Sequence, residues 1–156
     1  MGELCIIVVE SGRDMFFGQK EITLDDKSRV VLPAIFKEDF ANFNQCVLTY
    51  GFDKCIEVYT PDVFDQKSAK YIELSRFNPK ARSVQRTFFA NSGRQNIDAN
   101  GRILLSKNLK DIALINKDVV ILGMYDHLEI WAKELYEEVS RQDQESYSDN
   151  AQELIG

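Results

Sequence analysis

Residues 24–33 read LDDKSRVVLP, and residues 97–106 read IDANGRILLS. Each copy places an aspartate behind an apolar residue, an arginine four positions later, and three aliphatics after it. The copies lie 73 residues apart in a chain of 156. The duplication also extends upstream, where MFFGQKEITLD (15–25) aligns without gaps onto FFANSGRQNID (88–98). Downstream, CVLTY (46–50) and CIEVY (55–59) correspond to VVILG (119–123) and HLEIW (127–131), the offset slipping to 72. A chain written twice at this spacing is expected to fold as two matched halves. Such halves pack about an approximate two-fold axis, as a fused homodimer does.

Each half reads as strand, hairpin, short helix, two strands and longer helix. Pro33 suits the first turn of a short helix, IFKEDF, and Ser106 is an N-cap for its counterpart, KNLKDIA. Thr60-Pro61 opens a helix predicted to reach about Phe77, with Val63, Phe64, Tyr71 and Ile72 as its buried stripe. Asn78-Pro79 starts another, in which Val84 and Phe88 lie one turn apart. A last helix is predicted from about Ala132 to Val139, and RQDQESYSDN beyond Ser140, polar and aperiodic, is expected to fray. The predicted division is an N-terminal extension (1–14) that could add an edge strand through LCIIVV, repeats at 15–62 and 88–132, a helical linker at 63–87, and a C-terminal helix with an acidic tail at 133–156.

The repeated turn has a physical reading. In DANGR, a two-residue loop would send Asp98 and Arg102 to opposite faces. A three-residue loop, a type I turn followed by Gly101 in the left-handed region, would make them the closing pair. The second is preferred because it explains the spacing: the aspartate accepts N–H bonds from the turn and neutralises the arginine. In the first copy Ser28 takes the glycine position and bears a steric cost there. A single such turn would be an ordinary surface hairpin with a weak ion pair. Two in register, related by a two-fold axis, would present Arg29 and Arg102 as a symmetric pair. Duplex DNA has the same pseudo-symmetry, and the arginine fork suits phosphates and guanine edges. Lys20, Lys27 and Arg94 lie near the same strands as candidate phosphate contacts, with Lys107 and Lys110 as weaker ones.

Overall charge looks unfavourable for such a partner, at −6, but it is unevenly placed. Residues 1–14 sum to −2 and residues 133–156 to −5, whereas 66–117 hold eleven Lys/Arg against three Asp/Glu. A basic middle between acidic ends permits nucleic-acid binding on one surface, although a solvated face is the plainer reading of charge alone.

With these residues in view, the sequence resembles the MraZ family of bacterial regulators, built from two SpoVT-AbrB-type repeats. The match is carried by LDDKSRVVLP, by NPKARSVQR at 78–86, by IDANGRILL and by LEIW ending at Trp131, and it covers roughly 15–140. The resemblance implies a β-rich α+β fold in which the two repeats form a double-split, swapped-hairpin barrel with flanking helices. It implies ring-like homo-oligomers, and binding to repeated DNA boxes upstream of the protein's own division and cell-wall operon. It assigns DNA contact to Arg29 and Arg102, supported by Asp25, Asp98 and Gly101. Ser28 departs from the glycine usual in the family. Residues 1–14 precede the usual start near the Met15-Phe16-Phe17-Gly18 pattern.

Enzymatic chemistry is not expected. His127 is the one histidine and has Asp126 beside it, but no nucleophile-elbow pattern accompanies them, and no phosphate-binding glycine motif occurs. Three cysteines, Cys5, Cys46 and Cys55, lack metal-ligand spacing, so neither metal nor disulfide framework nor cofactor is expected, and a reducing cytoplasm is the expected setting. No apolar run approaches the ~18 residues of a membrane span. The expected partners are double-stranded DNA and further copies of the chain, with repression the simplest mode of regulation and nucleoid association its corollary. The alternative is an antitoxin-like interaction module docking a basic protein on the acidic tail.

Overall fold

A computed structural model describes residues 16–33 and 44–156. The extension at 1–14 and the IFKEDF helix lie outside the described residues. Eight strands and four helices follow in chain order among those described: β1 (Gln19–Thr23), β2 (Arg29–Val31), β3 (Gln45–Tyr50), β4 (Ile56–Tyr59), α1 (Pro61–Ile72), α2 (Pro79–Ala90), β5 (Gly93–Asn96), β6 (Arg102–Leu104), α3 (Lys107–Ile112), β7 (Asp118–Gly123), β8 (Leu128–Ala132) and α4 (Lys133–Ile155). The fold is mixed α+β and rich in sheet.

The duplication governs the topology. The larger sheet runs β1-β7-β8-β4-β3-β5, all antiparallel. Exchanging each strand for its repeat partner reverses that order onto itself, which places the pseudo-two-fold axis between β8 and β4. Neither half completes its own edge: β1 of the first pairs with β7 of the second, and β5 of the second with β3 of the first. The remaining strands, β2 and β6, form a separate two-stranded ribbon centred on Val30 opposite Ile103.

Strand alternation assigns the faces. Val30, Ile103, Leu32 and Leu105 from the ribbon meet Ile56, Val58, Ile121, Leu128 and Ile130 from the large sheet in one buried core. The opposite face of the large sheet is covered by helices. Phe88 of α2 stacks between Phe64 and Tyr71 of α1, at 5.5 and 3.7 Å, and Phe64 meets Tyr59 of β4 at 6.1 Å. Over the other half, Tyr136 of α4 packs on Trp131 at 5.6 Å. Cys46 and Cys55 are buried free thiols.

Two helix expectations need correction. α1 ends at Ile72 rather than near Phe77. Ser75 diverts the chain, its Oγ accepting from Phe77 N, while Gln85 Nε2 donates to the Tyr71 carbonyl, which also accepts from Leu74 N, and to the Leu74 carbonyl beyond the helix end. Its inward stripe runs from half-buried Phe64 through buried Ser68 to half-buried Tyr71, which leaves Ile72 to one side and 66% exposed. The tail beyond Ser140 does not fray: α4 continues to Ile155 without one buried residue. Local pairs on a run rich in helix formers hold it, including Arg141 and Gln142 with Glu138. Among the described residues, no helix is long and apolar enough to cross a membrane.

Candidate nucleic-acid interface

Both repeated turns adopt the three-residue loop. Ser28 N donates to the Asp25 carbonyl at 3.0 Å, and Asp25 N to the Arg29 carbonyl at 3.0 Å; the second turn repeats this with Gly101, Asp98 and Arg102 at 2.9 and 3.0 Å. The left-handed position is Ser28 in one (φ 62°) and Gly101 in the other (φ 78°).

Each aspartate organises its turn with both carboxylate oxygens. Asp25 Oδ1 accepts from Lys27 N and Arg29 N, both at 2.9 Å, while Oδ2 accepts from Arg29 Nε at 2.8 Å. Asp98 does the same with Asn100 N, Arg102 N and Arg102 Nε, at 2.9, 2.8 and 2.8 Å. Hydrogen bonds from the arginine backbone, followed by the arginine side chains, hold both carboxyls below the ordinary aspartate value of 3.8. Because each arginine binds its own aspartate through Nε, those bonds leave the two terminal nitrogens of each guanidinium uncommitted.

The β2–β6 ribbon brings the two turns together. Arg29 lies opposite Leu104 and Val31 opposite Arg102, all four on the outward face, while Val30 and Ile103 point into the core. The ribbon's ends are tied to the turns, Leu32 N donating to the Gly101 carbonyl and Leu105 N to the Ser28 carbonyl. Arg102 Nη1 stands 3.7 Å from Asp25 Oδ2, so the first aspartate faces both arginines. Side-chain exposures of 30% for Arg29 and 27% for Arg102 leave both reachable from solvent.

Other candidates separate. Lys27 is exposed at the tip of the first turn. Lys20, on edge strand β1, lines a groove with Lys133 and Arg141 of α4. Arg94, on edge strand β5, holds Gln45 Oε1 at 3.4 Å. Lys107 is engaged by Asp111 at 2.7 Å. Lys110 is closer to the centre than its place in the sequence suggested: from α3 of the second half, its Nζ donates to Ser28 Oγ of the first. Val31 and Leu104, 44% and 45% exposed, were also overlooked, although strict alternation from a buried Val30 would have placed them outward.

The chain matches, at residues 15–87 and again at 88–156, the family model described as "MraZ protein, putative antitoxin-like". It is 39% identical over 140 residues to a protein of Thermoanaerobacter sp. (strain X514) named transcriptional regulator MraZ, covering 90% of this chain and 96% of that relative. Proteins of the same name from Corynebacterium jeikeium (37% over 141 residues; 90% and 97% covered) and Cytophaga hutchinsonii (34% over 142 residues; 90% and 94%) are similar along the same length. With a doubled family match that falls on the doubled architecture, the chain belongs to the MraZ family.

Proposed function

We propose that the protein is a sequence-specific DNA-binding transcriptional regulator and that the outward face of the β2–β6 ribbon is its reading surface. One observation carries this: two carboxylate-braced arginines, one from each half, sit diagonally on a single exposed two-stranded ribbon. A ribbon of this width fits the major groove, where an arginine fork can take guanine O6 and N7 or span a phosphate. Val31 and Leu104 between the forks supply the apolar surface that suits thymine methyl groups. Lys27 and Lys110 add charge beside the first turn, and Lys20 and Arg94, on the sheet edges, serve as outlying phosphate contacts.

The strand exchange between halves supports treating the two repeats as one swapped-hairpin, double-split barrel, with the helical segment 63–87 as linker and α4 as an appendage. One ribbon offers few phosphate contacts. A homo-oligomeric ring facing several spaced boxes would make later contacts intramolecular and raise affinity by roughly 10²–10⁴. Boxes upstream of the protein's own division and cell-wall operon, occluded from polymerase by the bound ring, complete the proposed mechanism. Selection of bound fragments from the source genome, with stoichiometry from native mass spectrometry, tests it. Repeated boxes and a multimer support the reading, whereas sequence-indifferent binding or a bound monomer overturns it.

A further inference from the structure

A second cluster of functional groups lies on the helix-covered face of the large sheet, at the seam of the two halves. Glu57 of β4 and Glu129 of β8 are register partners across that seam. Like charges set opposite each other in an antiparallel pair destabilise it. Among the described residues, no lysine or arginine forms an ion pair with either carboxylate. One oxygen of each is satisfied by an aromatic donor two residues along its own strand: Tyr59 OH donates to Glu57 Oε1 at 2.7 Å, and Trp131 Nε1 to Glu129 Oε1 at 2.8 Å.

His127 completes the group and distinguishes it from an acidic patch. It precedes Glu129 by two residues, stacks on Tyr59 at 4.9 Å, and has a side chain only 12% exposed. Its Nδ1 lies 2.7 Å from Asp126 Oδ1, which fixes the ring and leaves Nε2 as the nitrogen able to bind a metal. One ligand atom each from Glu57, His127 and Glu129 falls within 4.8 Å of the other two. All three stand at or beside paired strands in the middle of a six-stranded sheet, a rigid support for a coordination site.

We propose that Glu57, His127 and Glu129 bind a divalent transition-metal ion of the Zn²⁺ or Co²⁺ class, joining the two repeats at their seam. Two carboxylates and an imidazole match that class, whereas Mg²⁺ and Ca²⁺ prefer oxygen alone. Three protein ligands leave a further position for water. The ion would neutralise the facing carboxylates and, because it binds the folded arrangement, stabilise it.

Titration calorimetry and thermal melting of the tag-free, chelator-treated full chain with ZnCl2, together with the visible spectrum of its Co²⁺ form, test the proposal. Expected are one ion per chain and a melting temperature raised by roughly 5–10 °C at a hundredfold excess over Kd. Both should be lost in the Glu57→Gln/Glu129→Gln double variant, whose amides still accept from Tyr59 and Trp131. That variant, checked for fold by circular dichroism, should melt above metal-free wild type because the repulsion is gone. His127→Ala, which leaves both carboxylates in place, should weaken binding at least about tenfold. Absence of saturable Zn²⁺ binding below about 1 mM would overturn the site. A response unchanged in both variants overturns it equally, since the ion would then be held elsewhere.

Discussion

Asp25 and Arg102 belong to different repeats, yet the carboxylate of one stands 3.7 Å from the guanidinium of the other. Asp25 therefore braces its own Arg29 and faces the arginine of the second turn, while Asp98 is bonded within its own turn. Asp25→Ala should reduce affinity for operator DNA more than Asp98→Ala. Fluorescence anisotropy on one duplex compares them, and equal losses would contradict the shared role.

Truncating either arginine should weaken specific binding by about 10–100-fold, as for loss of one good bidentate base contact of ~1–3 kcal/mol. Arg29→Ala/Arg102→Ala should leave only weak, salt-sensitive association. Undiminished binding by the double variant would exclude the ribbon as the reading surface.

Ser28 holds a left-handed backbone that glycine adopts without strain. Ser28→Gly relieves about 1–2 kcal/mol of left-handed strain, but it forfeits the part-buried hydrogen bond from Lys110, worth about 1 kcal/mol or more, and adds about 0.5–1 kcal/mol of unfolded-chain entropy. The net expectation is a melting temperature unchanged or lower by a few degrees, and a clear rise would show that strain at Ser28 outweighs its bond to Lys110. Gly101→Ala, which places a Cβ in the left-handed region, should destabilise by about 1 kcal/mol, measurable by urea unfolding.

Acid should release both turns only at low pH. Their carboxyls have folded values below 3.8, so their contribution is fully present above that unfolded value and is lost as pH falls through the lower, folded one. Amide resonances of Lys27, Arg29, Asn100 and Arg102 should move with midpoints under 3.8. Midpoints at or above that value would show that the carboxylates do not brace the turns.

Removing residues 141–156 should lower mean helicity but change stability by less than about 0.5 kcal/mol, since α4 buries no residue. DNA affinity should be unchanged. A large loss of affinity would place α4 at the interface; loss of a protein partner alone would favour the antitoxin-like reading.

The gross plan was readable because the sequence repeats itself: the turns, their closing bonds and the left-handed Ser28 all follow from D-x-x-x-R and the glycine that occupies one copy. Strand exchange was legible only through the family resemblance, since the residues of β1 carry the same pattern whether it pairs with β3 or β7. Helix ends were misjudged where side chains decided them, at Ser75 and Gln85, and where local polar pairs alone kept α4 helical past Ser140. His127 read as an isolated histidine because Glu57, its neighbour in space, is 70 residues away in sequence. The pairing of β4 with β8 brings them together.

The crossing of strands between halves also bears on synthesis. β1 ends at Thr23 and its hydrogen-bonding partner begins at Asp118, 95 residues later. At ~5–20 residues per second, a ribosome needs roughly 5–20 s to make that stretch. Throughout that interval the nascent first repeat presents uncompleted β edges, so it depends on prompt arrival of its twin, or on a chaperone, to avoid pairing with a neighbouring chain on the same message.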